Sequence, residues 1–168
     1  GIAPSDVSEG AGPFAIALPL GEGGSGRAVR VGVPICYELL FPDLVRRFVG
    51  DGAQILLALT NDAWYGRTGA PYQFLAMTAL RSAETGVFTV RAANSGVSAI
   101  IDERGEVLKS LPIFERGWLV ADVPLRSPAR GETFYVRHGD VFVGLCLAGL
   151  AIAIAGRRLG TRAAEGRA

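Results

Sequence analysis

Apolar residues fall into short runs of two different periods, punctuated by glycine and proline. Phe14–Leu20 and Ala28–Cys36 read as strands joined by Gly21–Arg27, which predicts a hairpin with a long loop. The glycines of that loop invite comparison with a phosphate loop. No Lys-Ser/Thr follows them and no helix starts there, so they read as a hairpin tip. Phe41–Gly50 predicts a short helix, with Pro42 in its first turn and Gly50 and Gly52 ending it. Gln54–Thr60 (QILLALT) is a nearly continuous apolar run, the pattern of a strand covered on both faces. Pro71–Thr85 is the strongest helix signal, opened by Pro71 and stopped by Gly86, with Phe74, Met77 and Leu80 along one side. Val87–Arg91, Val97–Asp102 and Trp118–Val123 read as further strands, with turns at Asn94–Gly96 and Glu103–Gly105. Early alternation of strand and helix followed by a strand-rich run predicts an α/β fold around a mostly buried sheet.

The longest apolar stretch lies near the end. Val141 to Gly156 (VFVGLCLAGLAIAIAG) carries no charge; His138 and Asp140 precede it and Arg157 and Arg158 follow. As a helix it spans roughly 24 Å against about 30 Å of hydrocarbon, a gap that flanking arginines narrow by snorkelling. Apolar on every face, it reads as a transmembrane helix over 135–156 with an Arg-rich cytoplasmic tail over 157–168. The alternative is a buried C-terminal core helix. In the membrane reading, residues 1–134 lie on the periplasmic side.

The chain has 168 residues and 17.6 kDa, enough for one domain with a real core. Seventeen basic residues against sixteen acidic ones leave a net charge of +1, which argues against a nucleic-acid partner. Mean hydropathy is +0.32, which excludes disorder of the whole chain. The chain begins at Gly1, its only methionine is Met77, and no signal peptide follows the start; it reads as a piece of a longer protein. Cys36 and Cys146 fall in the globular part and the apolar helix, so no disulfide is expected.

Chemistry concentrates in two segments. In RVGVPICYELLFPD (Arg30–Asp43) a strand ends at Cys36 shortly before a helix. A nucleophile on such a turn is exposed at the sheet edge, near backbone N–H groups able to receive an oxyanion. Glu38 alone would raise the thiol pKa, so a nucleophilic Cys36 needs a cation or base from elsewhere. The competing reading is a buried apolar cysteine. In LLALTNDAWYGRTGAPYQ (Leu56–Gln73) a buried strand runs into Asn61, Asp62, Trp64 and Tyr65. Both segments follow strand ends and so can face each other. The competing reading makes Asn61 and Asp62 turn formers and Trp64 core. His138 and Lys109 read as surface groups, Lys109 in a polar strand, and Arg81 with Glu84 as a surface pair worth little. No Cys/His cluster has metal-ligand spacing, and no cofactor is expected.

Together, VGVPICYELLFPDLVRR, LTNDAWYGRTGAPYQFLAMTALRSAETGVFTVRAANSGVSAIID and GEVL resemble the carbon–nitrogen hydrolase (nitrilase) superfamily, and within it the bacterial apolipoprotein N-acyltransferases. The features favouring that branch over soluble amidases are Cys36-Tyr37-Glu38, Asn61 to Gly66 followed by Pro71 and Gln73, and the terminal apolar helix with its arginines. The resemblance implies part of a nitrilase-type α-β-β-α sandwich, with a C-terminal transmembrane helix in the inner membrane. It implies a Glu–Lys–Cys triad in which Cys36 is the nucleophile, the Tyr37 backbone N–H holds the oxyanion and Glu38 supports the site. Asn61, Trp64 and Tyr65 would bind substrate. The triad glutamate and lysine lie several dozen residues upstream in such proteins; Glu9 and Glu22 sit in no matching motif and Lys109 comes after Cys36, so both partners would belong to the remainder of a parent chain. The implied reaction moves an acyl chain from a phospholipid donor to an apolipoprotein acceptor through a cysteine thioester, and this piece alone would be inactive. The alternatives are a fragment of a soluble amidase and a catalytically dead, membrane-anchored binding module.

Overall fold

The computed structural model describes residues 12–20 and 28–165. It divides the chain into two compact units, 1–137 and 138–168. The first holds a six-stranded sheet in the order β1(Ile16–Pro19), β2(Ala28–Gly32), β3(Ile55–Asn61), β4(Thr89–Asn94), β5(Ser98–Ile101), β6(Val107–Leu111). β2, β3 and β4 run parallel; β1, β5 and β6 are added antiparallel. The β1–β2 hairpin is as the sequence predicts, while its tip, 21–27, lies outside the described residues.

The parallel centre follows from its crossovers. After β2, Pro42 opens α1(Pro42–Gly50), and the chain returns as β3. After β3, α2(Ala70–Thr85) opens around Pro71 and ends at Gly86, whose φ of 66° suits glycine and whose N–H donates to Ser82. Alternation along β3 sends Leu56 and Ala58 to one face, where they pack with Leu39, Val45, Phe48 and Val49 beneath α1. Gly32 permits the close fit: a Cβ there would lie 2.8 Å from Phe48 and Leu56 side-chain atoms. The opposite face gathers Val29, Val31, Ile55 and Phe88, with Val123 packed on them.

Four expectations need correction. Cys36 is not in the second strand, because the continuous ladder ends at Gly32, a lone bridge follows at Ile35, and Cys36 begins a 3-10 turn that runs to Leu40. Trp118–Val123 forms no strand: Trp118 and Val120 point to solvent, and only Val123 reaches the core. The last strand is β6, which carries Lys109; its ammonium donates to the Val120 carbonyl at 2.6 Å. In α2, Phe74 is buried but Met77 and Leu80 are exposed. The buried face is completed by Thr78, Arg81, Ser82 and Thr85. Arg81 with Glu84 is accordingly no surface pair, since Arg81 is buried and the two meet at 3.0 Å.

The chain does not continue from 135 as one helix. α3(Phe134–His138) stops at Gly139, with φ of 63°, and α4(Val141–Glu165) begins the second unit's long helix. No helix among the described residues is long and apolar enough to cross a membrane. In α4 the uncharged stretch is sixteen residues, short of the length that a hydrocarbon core demands.

Candidate functional site

Because β2, β3 and β4 are parallel, their carboxyl ends meet at one edge of the sheet, and three loops leave from it. The first carries Cys36. Ile35 still bridges Leu59 in parallel, and Pro34 accepts the Leu59 N–H at 3.2 Å. The backbone then swings into the left-handed region at Cys36, φ 53°. That conformation is costly for a residue with a Cβ and holds only where the surroundings enforce it. Glu38 enforces it. Its carboxylate accepts the Ile35 N–H at 2.7 Å, and its own N–H donates back to the Ile35 carbonyl at 3.1 Å. The two bonds close the corner on either side of the cysteine. Cys36 is half-buried, and among the described residues its sulfur makes no hydrogen bond.

The second loop follows β3. Asn61 closes it, accepting the Ala63 N–H at 3.1 Å and an Asn94 amide N–H at 3.3 Å. Trp64 is 85% exposed, so it is not a core residue. Tyr65, next in the chain, is half-buried. Its ring packs on Phe74 at 5.3 Å, and the Tyr37 ring meets the same Phe74 edge-on at 5.6 Å. The Tyr65 phenol is pushed up to about 12, first by the neighbouring Tyr37 side chain, then by burial and by the proximity of Cys36 and Asp62. Tyr37, which follows Cys36 in the chain, and Tyr65 thus share Phe74 as a packing partner.

What the sequence reading missed lies beneath the second loop. Asp62 and Arg91, 2% and 1% exposed, form an ion pair at 2.7 Å. Arg91 also donates to the Val97 carbonyl at 3.1 Å and to Thr78 Oγ1 at 3.2 Å; Asp62 accepts from Thr60 Oγ1 at 2.9 Å. Burial pulls the Arg91 guanidinium below its ordinary value, against the opposing charge of Asp62 and a smaller influence of Cys36. The third loop, Asn94–Gly96, makes room for the pair: a Cβ on Gly96 would lie 2.0 Å from Asp62 Oδ2. One sequence signal was available. Thr89, Arg91 and Ala93 alternate onto a single face, and an arginine at such a register needs a buried partner.

A cavity of about 520 Å³ adjoins the cysteine corner, bounded by Ile35 and Glu38 and walled by Phe14, Ile16, Val33 and Phe48. Tyr37, Phe41, Leu59 and Tyr72 are exposed on the segments around the same edge.

The family model described as carbon-nitrogen hydrolase matches residues 7–129. The chain belongs to the carbon–nitrogen hydrolase family. It is 45% identical over 126 residues to the apolipoprotein N-acyltransferase of Geobacter metallireducens, covering 75% of this chain and 24% of that protein. It is 40% identical over 111 residues to the Shewanella oneidensis protein of the same name, covering 66% of this chain and 21% of that protein. The chain therefore spans about a quarter of the length of these curated relatives. Among solved structures it resembles a mutant amidase from Nesterenkonia sp. AN1 that carries acrylamide added at its active-site cysteine. The TM-score is 0.51 at 26% identity, over 73% of this chain and 48% of that one. The family match and the sheet with its flanking helices agree on a mixed α/β nitrilase-type fold for the first unit.

Proposed function

We propose that these residues form the C-terminal part of an apolipoprotein N-acyltransferase, with Cys36 as nucleophile. The observation that carries this reading is the left-handed corner at Cys36, clamped by Glu38 at the carboxyl edge of three parallel strands, with Tyr37 and Tyr65 packed on Phe74 at the same edge. Strain at a reactive residue type, in the position where α/β sheets collect their chemistry, supports this reading.

In this mechanism the Cys36 thiolate attacks an ester carbonyl of a phospholipid. The carbon–oxygen ester bond breaks, the lysophospholipid leaves with a proton, and a thioester remains. The N-terminal amine of a diacylglyceryl-cysteine then attacks the thioester; the carbon–sulfur bond breaks, an amide forms, and the amine proton passes to a base. Tyr37 contributes its backbone N–H to the oxyanion and Glu38 holds the corner, while Asn61, Trp64 and Tyr65 border the bound substrate. The base and the cation that Cys36 requires, a glutamate and a lysine, belong to the remainder of the parent chain, and this piece is inert without them. The apolar cavity beside Ile35 suits an alkyl chain and would limit hydrolysis of the thioester.

The uncharged part of α4 is too short to cross alone, and an anchor at the bacterial inner membrane, with the sheet unit periplasmic and the tail cytoplasmic, requires the arginines that follow it to make up the length by snorkelling. The decisive experiment expresses the full-length gene product with Cys36→Ser and follows label from a radiolabelled phospholipid. Wild type is expected to trap an acyl thioester that the variant lacks; equal labelling of both refutes the nucleophile. The likeness to an amidase favours a second reading, a soluble enzyme hydrolysing small amides. That reading predicts extraction without detergent, and retention on carbonate-washed membranes refutes it.

A further inference from the structure

We infer that the Asp62–Arg91 ion pair is a positioning latch, setting the loop that carries Trp64 and Tyr65 over Cys36. The inference rests on the reading above, in which Cys36 is the nucleophile, and assigns a role to two residues that do not touch substrate.

The connection is continuous. Arg91 is fixed from three sides, by Asp62, by Thr78 on α2 and by the carbonyl of Val97. Thr78 is itself tied down, donating to the Phe74 carbonyl at 2.7 Å. The guanidinium is thus anchored to the sheet and the helix together, and through Asp62 it holds the loop between them. Asp62 is the cap of the short 3-10 turn Ala63–Tyr65: its carbonyl accepts the Tyr65 N–H at 3.1 Å, and its own N–H donates to the Asn94 carbonyl at 3.1 Å. Tyr65 passes the placement on through its ring to Phe74, on which the Tyr37 ring also packs, and sets its phenol beside Tyr37. Tyr37 follows Cys36 directly.

The chemistry explains why an ion pair serves here. A carboxylate and a guanidinium in a dry site have a narrow set of acceptable geometries, whereas apolar contacts slide. Gly96 narrows the set further, since the carboxylate occupies the space that any side chain at 96 would fill. Loop placement to a fraction of an ångström is what acyl transfer at a positioned thiol requires.

The test uses the full-length gene product with Asp62→Asn, Arg91→Met, both together, and Tyr65→Phe. Each single change at the pair is expected to lower kcat for thioester formation about tenfold or more, with KM for phospholipid within about twofold. The double variant, which leaves no unpaired buried charge, is expected to be no slower than the slower single one. Tyr65→Phe, which retains the packing on Phe74, is expected to lose several-fold in kcat with no change in melting temperature. Hydrogen exchange gives a readout independent of turnover. The Asp62 and Tyr65 amides should exchange about tenfold faster in the pair variants while α1 is unchanged. Wild-type exchange and wild-type kcat in the folded variants, or strictly additive losses in the double variant, overturn the latch. Should either single variant fail to fold, the double variant and Tyr65→Phe decide the question. Should the wild-type protein transfer no acyl group, the proposed function fails, and the exchange rates still decide the latch.

Discussion

α1 and α2 lie on the same face of one sheet, yet they are held to it by different physics. Beneath α1, Leu39, Val45, Phe48 and Val49 meet Leu56 and Ala58, and α1 contributes no buried polar side chain among the described residues. Beneath α2, the strand positions directly across from Leu56 and Ala58 are Thr89 and Arg91. The helix answers with Thr78, Ser82 and Thr85, and Ser82 and Thr89 join their hydroxyls at 2.6 Å. Apolar packing is tolerant: its energy depends on area and volume, and many side-chain combinations fill the same space. A buried polar network is intolerant, because each unpaired group carries its full desolvation cost. The intolerant half supports the loop of Trp64 and Tyr65, while the turn that carries Cys36 buries its Leu39 in the tolerant half beneath α1.

The contrast is open to direct attack. The largest effect is expected from Arg91→Met, which strands Asp62 as a buried unpaired charge and costs about 3–5 kcal/mol. Urea denaturation measures it, and a loss near zero would mean that the polar half is no more demanding than the apolar one. Leu56→Ala attacks the other half. Removing a fully buried side chain there should cost about 3 kcal/mol, whereas Leu56→Met should cost under about 1.5 kcal/mol. Ser82→Ala leaves the Thr89 hydroxyl without its partner and should cost about 1–2 kcal/mol by thermal melting, despite removing a single atom.

The smallest effect belongs to the surface of α1. Its Asp43 carboxyl sits below its ordinary value of 3.8, chiefly through the hydrogen bond from Arg46, with Arg47 adding to it. A depressed carboxylate contributes stability above the unfolded pKa and loses it as pH falls through the lower folded value. Asp43→Asn should therefore match wild type below that window and be less stable above pH 5, by under about 1 kcal/mol because the pair is half exposed and screened. Urea midpoints between pH 2 and 6 measure the difference.

The tolerant half was legible in the sequence. Pro42, Pro71 and Gly86 mark helix ends through backbone constraints that act locally, and QILLALT announces a strand covered on both faces. That the Cys36 turn and the loop after β3 leave from one edge was legible too, because parallel strands deliver their carboxyl ends to the same side. The intolerant half was not. Asp62 and Arg91 are twenty-nine residues apart, and each has an ordinary local explanation, as a turn former and as a strand end. Met77 and Leu80 misled by being apolar: helical spacing identifies a stripe, and here the polar residues of Thr89 and Arg91 selected a different stripe for burial. Trp118–Val123 misled in the same way, since alternation without a bonding neighbour makes extended chain and not a strand.

The backbone angle at Cys36 also bears on how such a chain would change over generations. Glycine accepts φ 53° freely and cysteine does not, so Cys36→Gly should unfold at a higher denaturant concentration than Cys36→Ala. A lineage released from the need for a thiol at that corner would gain by letting it drift to glycine while Glu38 and Leu39 stayed in place. Sulfur at the corner is thus a running expense against the fold, kept only while something selects for it.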